Sequence, residues 1–273
     1  KTITLHITQS PYEALVSDPV QAWLELPLVR EKEAFAYISH MTSLKGKSVR
    51  NYAFWYDSQN RLAYWVAYPL YKEIMGSGSR TDTWDYNPKV PKRFQPVLFY
   101  SFGSSGYDRG HQLPSADRLY SDDVNASTFY FTNITAQNGS LNQNLWGNLE
   151  TYVRGWAQAC DTVYVVTGAM IQTEENQNID YVEDNNGNKV AVPKIYYKVL
   201  LKYKASQTEN GGYSSIGFWY ENRSYTAAYP TAADAKSVKD METLTGFNFF
   251  HNLPDNIEEA VEASCKPGDW GLN

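Results

Sequence analysis

The sequence predicts an α+β fold with a central antiparallel β-sheet that is flanked by helices. Segments with strand composition and segments with helical periodicity are mixed along the 273 residues, without a regular strand–helix–strand repeat. That mixture favours α+β over a doubly wound α/β arrangement. A hydrophobic content of 42% and a charged content of 20% are ordinary for a globular chain, which argues against extensive disorder.

The N-terminal part is predicted to be an extension, residues 1–44, ahead of a main domain of residues 45–273. The extension would contain a half-buried strand over residues 2–8, where apolar and polar residues alternate, and a helix over residues 30–42. The apolar stripe of that helix would consist of Phe35, Ile38 and Met41. This piece is compatible with the remnant of a preceding domain.

The first half of the main domain is predicted to begin with a β-hairpin. Aromatic and β-branched runs at residues 51–56 and 62–68 are separated by the polar residues 57–60. Residues 76–96 are rich in Gly, Ser, Asp, Asn and Pro, a composition typical of a surface loop. A short strand is predicted at residues 129–132.

The second half is predicted to begin with a long helix. Apolar residues recur at helical spacing between Ser140 and Cys160, and Ser140 is a candidate N-cap. A last helix is predicted over residues 231–246, where Gly246 is the residue type that commonly ends a helix. Three strands lie between the helices, at residues 162–167, 196–202 and 215–220.

The composition also limits the classes of function. A formal net charge of −6 argues against a passive nucleic-acid coat, but not against an enzyme that grips a few phosphates locally. No run of about 18 apolar residues occurs, so no membrane span is predicted. Because the chain begins at Lys1, we expect a secreted or periplasmic protein whose targeting segment was removed, or a trimmed chain. Cys160 and Cys265 are compatible with one disulfide or with two buried thiols.

His111 is the histidine with the most suggestive neighbours among the four in the chain. Arg109 lies two residues earlier, so in an extended segment the cation and the imidazole point to the same side. Gly110, between them, leaves room for a phosphate to approach the backbone. This cluster favours a catalytic role, whereas an isolated histidine is more often structural.

Asn142 and Glu150 are the candidate metal ligands. On one α-helix, eight residues apart, their Cα atoms would be separated by about 12 Å and by about 80° in azimuth. Both cannot then touch one ion, so one direct ligand and one carboxylate that holds an ion-bound water fit better. Mg²⁺ suits this arrangement because it keeps most of its waters and takes one or two protein oxygens.

Short motifs occur in a fixed order along the chain. They are Asp108-Arg109-Gly110-His111, Asn133-Ile134-Thr135 with Gln137, Leu141-Asn142-Gln143, Trp146, Leu149-Glu150, Val163 to Gly168, Val192 to Lys198, and Glu242 with Thr245-Gly246. A single Asp-Arg-Gly-His match would be weak, but the ordered combination is specific. It resembles the sugar-nonspecific ββα-metal nucleases, also called the DNA/RNA non-specific endonucleases, a family that includes endonuclease G. The resemblance covers about residues 45–255, and it implies that a ββα-metal unit carries the site.

The resemblance implies a chemical role for three residues. His111 would be the general base that takes a proton from the attacking water. Asn142 would be the sole direct protein ligand of Mg²⁺, and Glu150 would hold a water bound to the ion. Mn²⁺ or Ca²⁺ would fit the same site.

The resemblance also implies supporting residues. Asn133 and Arg109 would support the site, and Asp108 would help to orient it. The family uses an arginine from an upstream loop on the phosphate, and Arg80 is the best match for it. Together with Arg80 and Arg109, Lys194 is a further candidate for binding substrate.

The expected function is Mg²⁺-dependent endonucleolytic hydrolysis of DNA and RNA with little base preference, which leaves 5′-phosphate ends. Two alternatives stay open. One is a catalytically lapsed module that binds nucleic acid. The other is a metal-dependent phosphodiesterase or phosphatase for small substrates, which closed walls around His111 would favour over an open groove.

Overall fold

The computed structural model describes residues 15–103 and 105–273. Within these residues, seven strands form one antiparallel sheet, which confirms the predicted α+β fold with a central antiparallel sheet. From one edge to the other, the strands are β1 (Phe35–Leu44), β2 (Lys47–Asp57), β3 (Leu62–Leu70), β6 (Thr162–Met170), β9 (Ile195–Tyr203), β10 (Tyr213–Glu221) and β11 (Ala235–Lys236).

Two separate hairpins and several helices complete the described fold. The hairpins pair β4 (Tyr107–His111) with β5 (Ile134–Asn138), and β7 (Asp180–Glu183) with β8 (Lys189–Val192). The α-helices are α1 (Lys72–Met75), α2 (Asp122–Ser127), α3 (Gly139–Leu141), α4 (Gly147–Gln158), α5 (Val238–Thr245) and α6 (Asp255–Glu262).

The large sheet is covered on both faces. All nine residues of β3 are buried, which requires packing on both sides of the strand. In β10, Phe218 stacks on Trp156 of α4, whereas a Cβ on the adjacent Gly217 would lie 2.3 Å from the side chain of Met241 in α5. Because successive strand residues point to opposite faces, α4 and α5 cover opposite faces of the sheet. The core therefore fixes the position of α4.

The helix predicted at residues 30–42 is wrong. Residues 35–44 form β1, which pairs with β2 from Phe35 opposite Asp57 to Leu44 opposite Lys47. Met41 is 51% exposed, so the expected apolar stripe does not exist. Cross-strand pairing outweighs a local helix preference of a few tenths of a kcal/mol per residue. The predicted boundary after residue 44 falls in the turn of this hairpin, and the strand predicted at residues 2–8 lies outside the described residues.

Most other predicted elements are confirmed, with shifted ends. The hairpin over residues 51–68 forms within β2 and β3, and the three later strands form within β6, β9 and β10. The strand predicted at residues 129–132 is wrong, because Phe131–Asn133 make a 3₁₀ turn and the strand begins at Ile134. The last helix begins only at Val238, where Ser237 and Asp240 form a capping box, and Gly246 ends it at φ 73°.

Two composition-based expectations also have a structural counterpart. Neither of the described stretches contains a helix that is both long and apolar enough to span a bilayer. Cys160 and Cys265 are half-buried free thiols, so of the two alternatives the structure has the unpaired one. Burial raises the pKa of the Cys160 thiol to about 11.

Candidate active site

The β4–β5 hairpin forms one wall of a cleft. The two strands pair from Tyr107 opposite Asn138 to His111 opposite Ile134. Gly110 is required here, because a Cβ at this position would lie 2.3 Å from Oε1 and 2.6 Å from Cβ of Gln137 on β5. The missing side chain thus makes room for Gln137, and not for a phosphate as expected. Arg109 and His111 both line the cleft, as the alternation of an extended strand predicted.

Asn133 holds the chain just beyond His111. Its Oδ1 accepts a hydrogen bond from the backbone N–H of Leu113 at 2.9 Å. Its Nδ2 donates to the carbonyls of Leu113 at 3.0 Å and of Thr128 at 2.7 Å. Its side chain is buried and bonded on both polar atoms, so Asn133 supports the wall and does not line the cleft.

The second wall is the helical run from Gly139 to Gln158, which confirms the long helix but contains an irregular turn. The predicted N-cap Ser140 is wrong, because Asn138 caps the run by accepting from the backbone N–H groups of Ser140 and Leu141. Residues Asn142–Trp146 form a π-helical turn between α3 and α4. Such a turn takes up one extra residue, so the residues after it are rotated back by about 100° relative to a uniform α-helix. The azimuths of Asn142 and Glu150 then differ by about 20° instead of about 80°, and both residues line the cleft.

The cleft between these walls has a volume of about 290 Å³. Arg154 is a lining residue that the sequence analysis missed, although the signal was available. It follows Glu150 by four residues on α4, so the two side chains share a helix face. The charged and polar lining side chains include Arg80, Arg109, His111, Asn142, Glu150 and Arg154.

The imidazole of His111 is held in an apolar, positively charged environment. Its ring packs edge-on against Phe129, with centroids 5.0 Å apart, and lies 5.3 Å from the ring of Trp84. Burial, together with the charges of Arg80 and Arg109, lowers its pKa to about 3. The ring is therefore neutral at pH 7, and its buried Nε2 has no hydrogen-bond partner among the described residues. A neutral imidazole has one nitrogen that can accept a proton.

Asp108 fixes the amide of Asn142. Its Oδ2 accepts hydrogen bonds from Nδ2 of Asn142 at 2.9 Å and from Nε2 of Gln143 at 2.8 Å. Because a carboxylate only accepts, the amide nitrogen of Asn142 must face it. The amide oxygen of Asn142 is then left as an acceptor, and no described residue donates to it.

Glu150 is half-buried and interacts with a group of charges, of which Lys198 and Asp117 are buried. Burial raises the pKa of its carboxyl, and the positive charge of Lys198 opposes that rise. Burial lowers the pKa of the Lys198 ammonium, with Glu150 opposing the change, while Nζ of Lys198 donates to Oγ1 of Thr167 at 2.7 Å. Asp117, also buried, accepts from Nη1 of Arg154 at 3.1 Å. Lys198 ends the motif that begins at Val192, but its place in that motif did not predict a role.

Two arginines face the cleft from the side of His111. Nη1 of Arg109 donates to the backbone carbonyls of Leu98 and Phe99, and its guanidinium lies 3.5 Å from the ring centroid of Trp84. Arg80 is paired with Asp82 at 2.8 Å. Both arginines line the cleft, so the structure brings the predicted phosphate-binding pair together.

Lys194 is the candidate that the structure does not bring to the cleft. It lies between β8 and β9, and its Nζ is paired with Oδ2 of Asp180 in β7 at 2.6 Å. It is not among the residues that line the cleft. Its ammonium group therefore pairs with the β7–β8 hairpin and does not contribute to the cleft.

The polar groups of the cleft suit a hard cation that takes few protein oxygens. Within residues 15–103 and 105–273, no three His, Cys, Asp or Glu side chains lie close enough together to hold a metal ion. The free amide oxygen of Asn142 and the carboxylate of Glu150, on one helix face, fit the requirement of Mg²⁺ for one or two protein oxygens.

Comparisons with known proteins point to one family. The family model described as DNA/RNA non-specific endonuclease matches residues 33–256. A protein named nuclease from Nostoc sp. is 30% identical over 220 residues, which cover 78% of this chain and 75% of that protein. Mitochondrial endonuclease G of Bos taurus is 30% identical over 212 residues, covering 76% and 69%. The crystal structure of an EndoG/EndoGI complex shares the fold, with a TM-score of 0.64 at 23% identity over 80% of this chain and 88% of that chain.

Proposed function

The chain belongs to the DNA/RNA non-specific endonuclease family, and we propose that it is a divalent-metal-dependent endonuclease that hydrolyses phosphodiester bonds of DNA and RNA. One observation carries the proposal. A neutral histidine, cationic arginines and a free amide oxygen line the same cleft, and each is held there by contacts with the scaffold. These are the groups that water activation, phosphate binding and cation binding require.

His111 is the general base in this proposal. Because its imidazole is neutral at pH 7, its free ring nitrogen accepts a proton from the water that attacks the phosphorus. The aromatic packing of the ring fixes the direction of that transfer. Asn133 keeps the following residues in place, so the end of β4 does not shift when substrate binds.

The helix wall would hold the cation. The amide oxygen of Asn142 would be the direct ligand, and the carboxylate of Glu150 would hold a water of the ion. Asp108 keeps the amide of Asn142 in the orientation that presents oxygen. Mg²⁺, when bound, would stabilise negative charge that develops on the phosphate and on the leaving 3′-oxygen.

The arginines explain why base and sugar identity would matter little. Arg80, Arg109 and Arg154 are suited to non-bridging phosphate oxygens, and phosphate contacts position a nucleic acid without reading its sequence. Proteins usually distinguish RNA from DNA by a contact to the 2′-hydroxyl. Guanidinium groups that bind phosphate oxygens make no such contact, so both sugars would be accepted.

A plasmid-nicking assay tests the proposal directly. The wild-type protein with Mg²⁺ should convert supercoiled plasmid to nicked and linear forms and should degrade RNA, whereas EDTA should stop both reactions. Binding of nucleic acid without cleavage would instead identify a lapsed binding module. Cleavage of bis(p-nitrophenyl) phosphate without cleavage of plasmid would identify a small-substrate phosphodiesterase.

A further inference from the structure

Exposed aromatic side chains lie next to the cleft, beyond Arg109. We name the group formed by Tyr86, Lys92, Phe99 and Tyr100 the rim track. Phe99 is 46% exposed and Tyr100 is 75% exposed, although both are large aromatic residues in consecutive positions. Grouped exposed apolar side chains commonly mark a binding surface.

The backbone of the rim track is bonded to Arg109, a residue that lines the cleft. Nη1 of Arg109 donates to the carbonyl of Leu98 at 3.0 Å and to that of Phe99 at 2.9 Å. The guanidinium that faces the cleft is thus in direct contact with the backbone that carries Phe99 and Tyr100. A polymer whose phosphate is held by Arg109 has its neighbouring nucleotides beside this segment.

Two rings of the track, those of Phe99 and Tyr86, are held in place by contacts with other rings. Phe99 packs edge-on against Phe131 at 5.0 Å and against Tyr86 at 5.9 Å. Nζ of Lys92 lies 4.7 Å from the ring centroid of Tyr86, so a positive charge lies beside these rings. Tyr100 is held through its backbone, whose N–H donates to Oδ1 of Asn185 at 2.8 Å. Two packed rings, an exposed ring on the next residue and a cation suit stacked bases and their phosphates.

We propose that the rim track is a stacking subsite for unpaired bases that flank the bond to be cut, so that single-stranded nucleic acid is the preferred substrate class. The proposal rests on the proposed function. Stacking on protein rings requires exposed base faces, which a duplex keeps within its own stack, and it tolerates any sequence because every base has such a face. It also supplies affinity to a chain whose net charge is −6 and which therefore does not attract polyanions from a distance.

Binding to a cleavage-deficient protein separates stacking from charge. The His111→Ala variant is titrated with a fluorescein-labelled oligothymidylate of about 12 nucleotides, with an abasic strand of equal length and charge, and with the duplex form. Tyr100→Ala, and separately Phe99→Leu, are then added to that background. Tyr229→Ala is the matched control, since Tyr229 is 59% exposed and lies beside Tyr152 on α4.

We expect the parent protein to bind the oligothymidylate more tightly than the abasic strand or the duplex. Tyr100→Ala and Phe99→Leu should weaken oligothymidylate binding by about 5- to 150-fold, the range for loss of one stacked base. Neither change should alter binding of the abasic strand or the dependence of log K on log salt, because the phosphate contacts persist. Tyr229→Ala should change none of these values.

Equal affinity of the parent for the two single strands, or unchanged binding by the Tyr100→Ala variant, would overturn the proposal. Sedimentation of the parent protein at several protein concentrations tests a second occupant. If the protein self-associates and the Tyr100→Ala variant binds oligothymidylate as tightly as the parent, the track is an interface between copies and the proposal is wrong. The wild-type plasmid assay keeps the two proposals apart. Cleavage without base-dependent binding would refute only the rim-track proposal. Base-dependent binding without cleavage would refute only the proposed activity.

Discussion

The two walls of the cleft hold their functional groups by different forces. On the β4 wall, the ring of His111 lies against Phe129, and burial keeps it uncharged. On the helix wall, the amide of Asn142 is oriented by the carboxylate of Asp108, and burial raises the pKa of Glu150 while the positive charge of Lys198 opposes that rise. Burial and nearby charges thus act together to keep the imidazole of His111 neutral, whereas they act against each other at Glu150. Substitutions on the two walls should fail in different ways.

The largest effect should come from the β4 wall. His111→Ala should reduce turnover by about 10²–10⁴-fold, the usual contribution of general acid–base catalysis, with nucleic-acid binding little changed. Cleavage rates at saturating Mg²⁺ measure this. His251→Ala is a suitable control, since His251 is a half-buried histidine remote from the lining of the cleft. Cleavage by His111→Ala at nearly the wild-type rate would refute the assigned mechanism.

On the helix wall, the expected loss is in the response to metal. Asn142→Ala should cause the larger loss of Mg²⁺ affinity, seen as a higher Mg²⁺ concentration for half-maximal rate, because the direct ligand is gone. Glu150→Ala should cost less affinity but reduce the rate by about 10–100-fold. Rates measured across a Mg²⁺ titration separate the two effects. Asn144→Ala, an exposed change on the same π turn, is the control. If Glu150→Ala proved the more sensitive to Mg²⁺ concentration, the two ligand roles would have to be exchanged.

A smaller change should reveal how the helix wall is oriented. Asp108→Asn replaces the carboxylate that accepts from Nδ2 of Asn142 at 2.9 Å by an amide that can also donate, so either orientation of the Asn142 amide can be bonded. We expect about a tenfold higher Mg²⁺ requirement, as for other residues that orient a metal ligand, and a largely retained rate at saturating Mg²⁺. A loss of rate that no concentration of Mg²⁺ restores would show that Asp108 acts elsewhere.

The pKa of His111 reports the electrostatic environment of the β4 wall. The ordinary histidine pKa of 6.5 is lowered to about 3, first by burial and then by Arg80 and Arg109. NMR of the metal-free protein should show no titration of His111 near pH 6.5. Arg80→Ala should raise its pKa, though not to 6.5, because burial remains. A His111 resonance that titrates near pH 6.5 in the wild type would contradict this account.

The same shift has a consequence for stability. Since the folded protein disfavours the charged ring, His111 contributes stability that is present above about pH 6.5 and is lost as the pH falls toward about 3. His40, whose pKa burial lowers to about 4, acts in the same direction.

The smallest effect should come from a residue outside both walls. Lys194→Ala should change the KM for nucleic acid by less than about twofold, because its ammonium is paired with Asp180 at 2.6 Å. Arg109→Ala, measured beside it, should raise KM clearly, since Arg109 lines the cleft. A KM for Lys194→Ala as high as that for Arg109→Ala would restore Lys194 to substrate binding.

Periodicity was enough to predict the pattern of the site, but not its exact geometry. The two-residue spacing of Arg109 and His111 correctly predicted a shared side, because β4 is extended. The π turn was not predictable, since residues 142–146 are equally compatible with an α-helix and tertiary packing selects the extra residue. The ion pair between Lys194 and Asp180 was not predictable either, because it forms only when the β7–β8 hairpin brings Asp180 next to Lys194. A secreted or periplasmic location stays a prediction.

The early strand β1 protects the rest of the sheet from other molecules. It occupies the edge beside β2, whose last seven residues are buried, and no further strand of the described chain pairs with its outer side. Without β1, the N–H and C=O groups of β2 would form a long, apolar, unpaired edge, which is the kind of surface that recruits strands from neighbouring molecules. A chain shortened to begin at residue 45 would therefore be prone to self-assemble through edge-to-edge strand addition, even though every residue of the cleft would still be present.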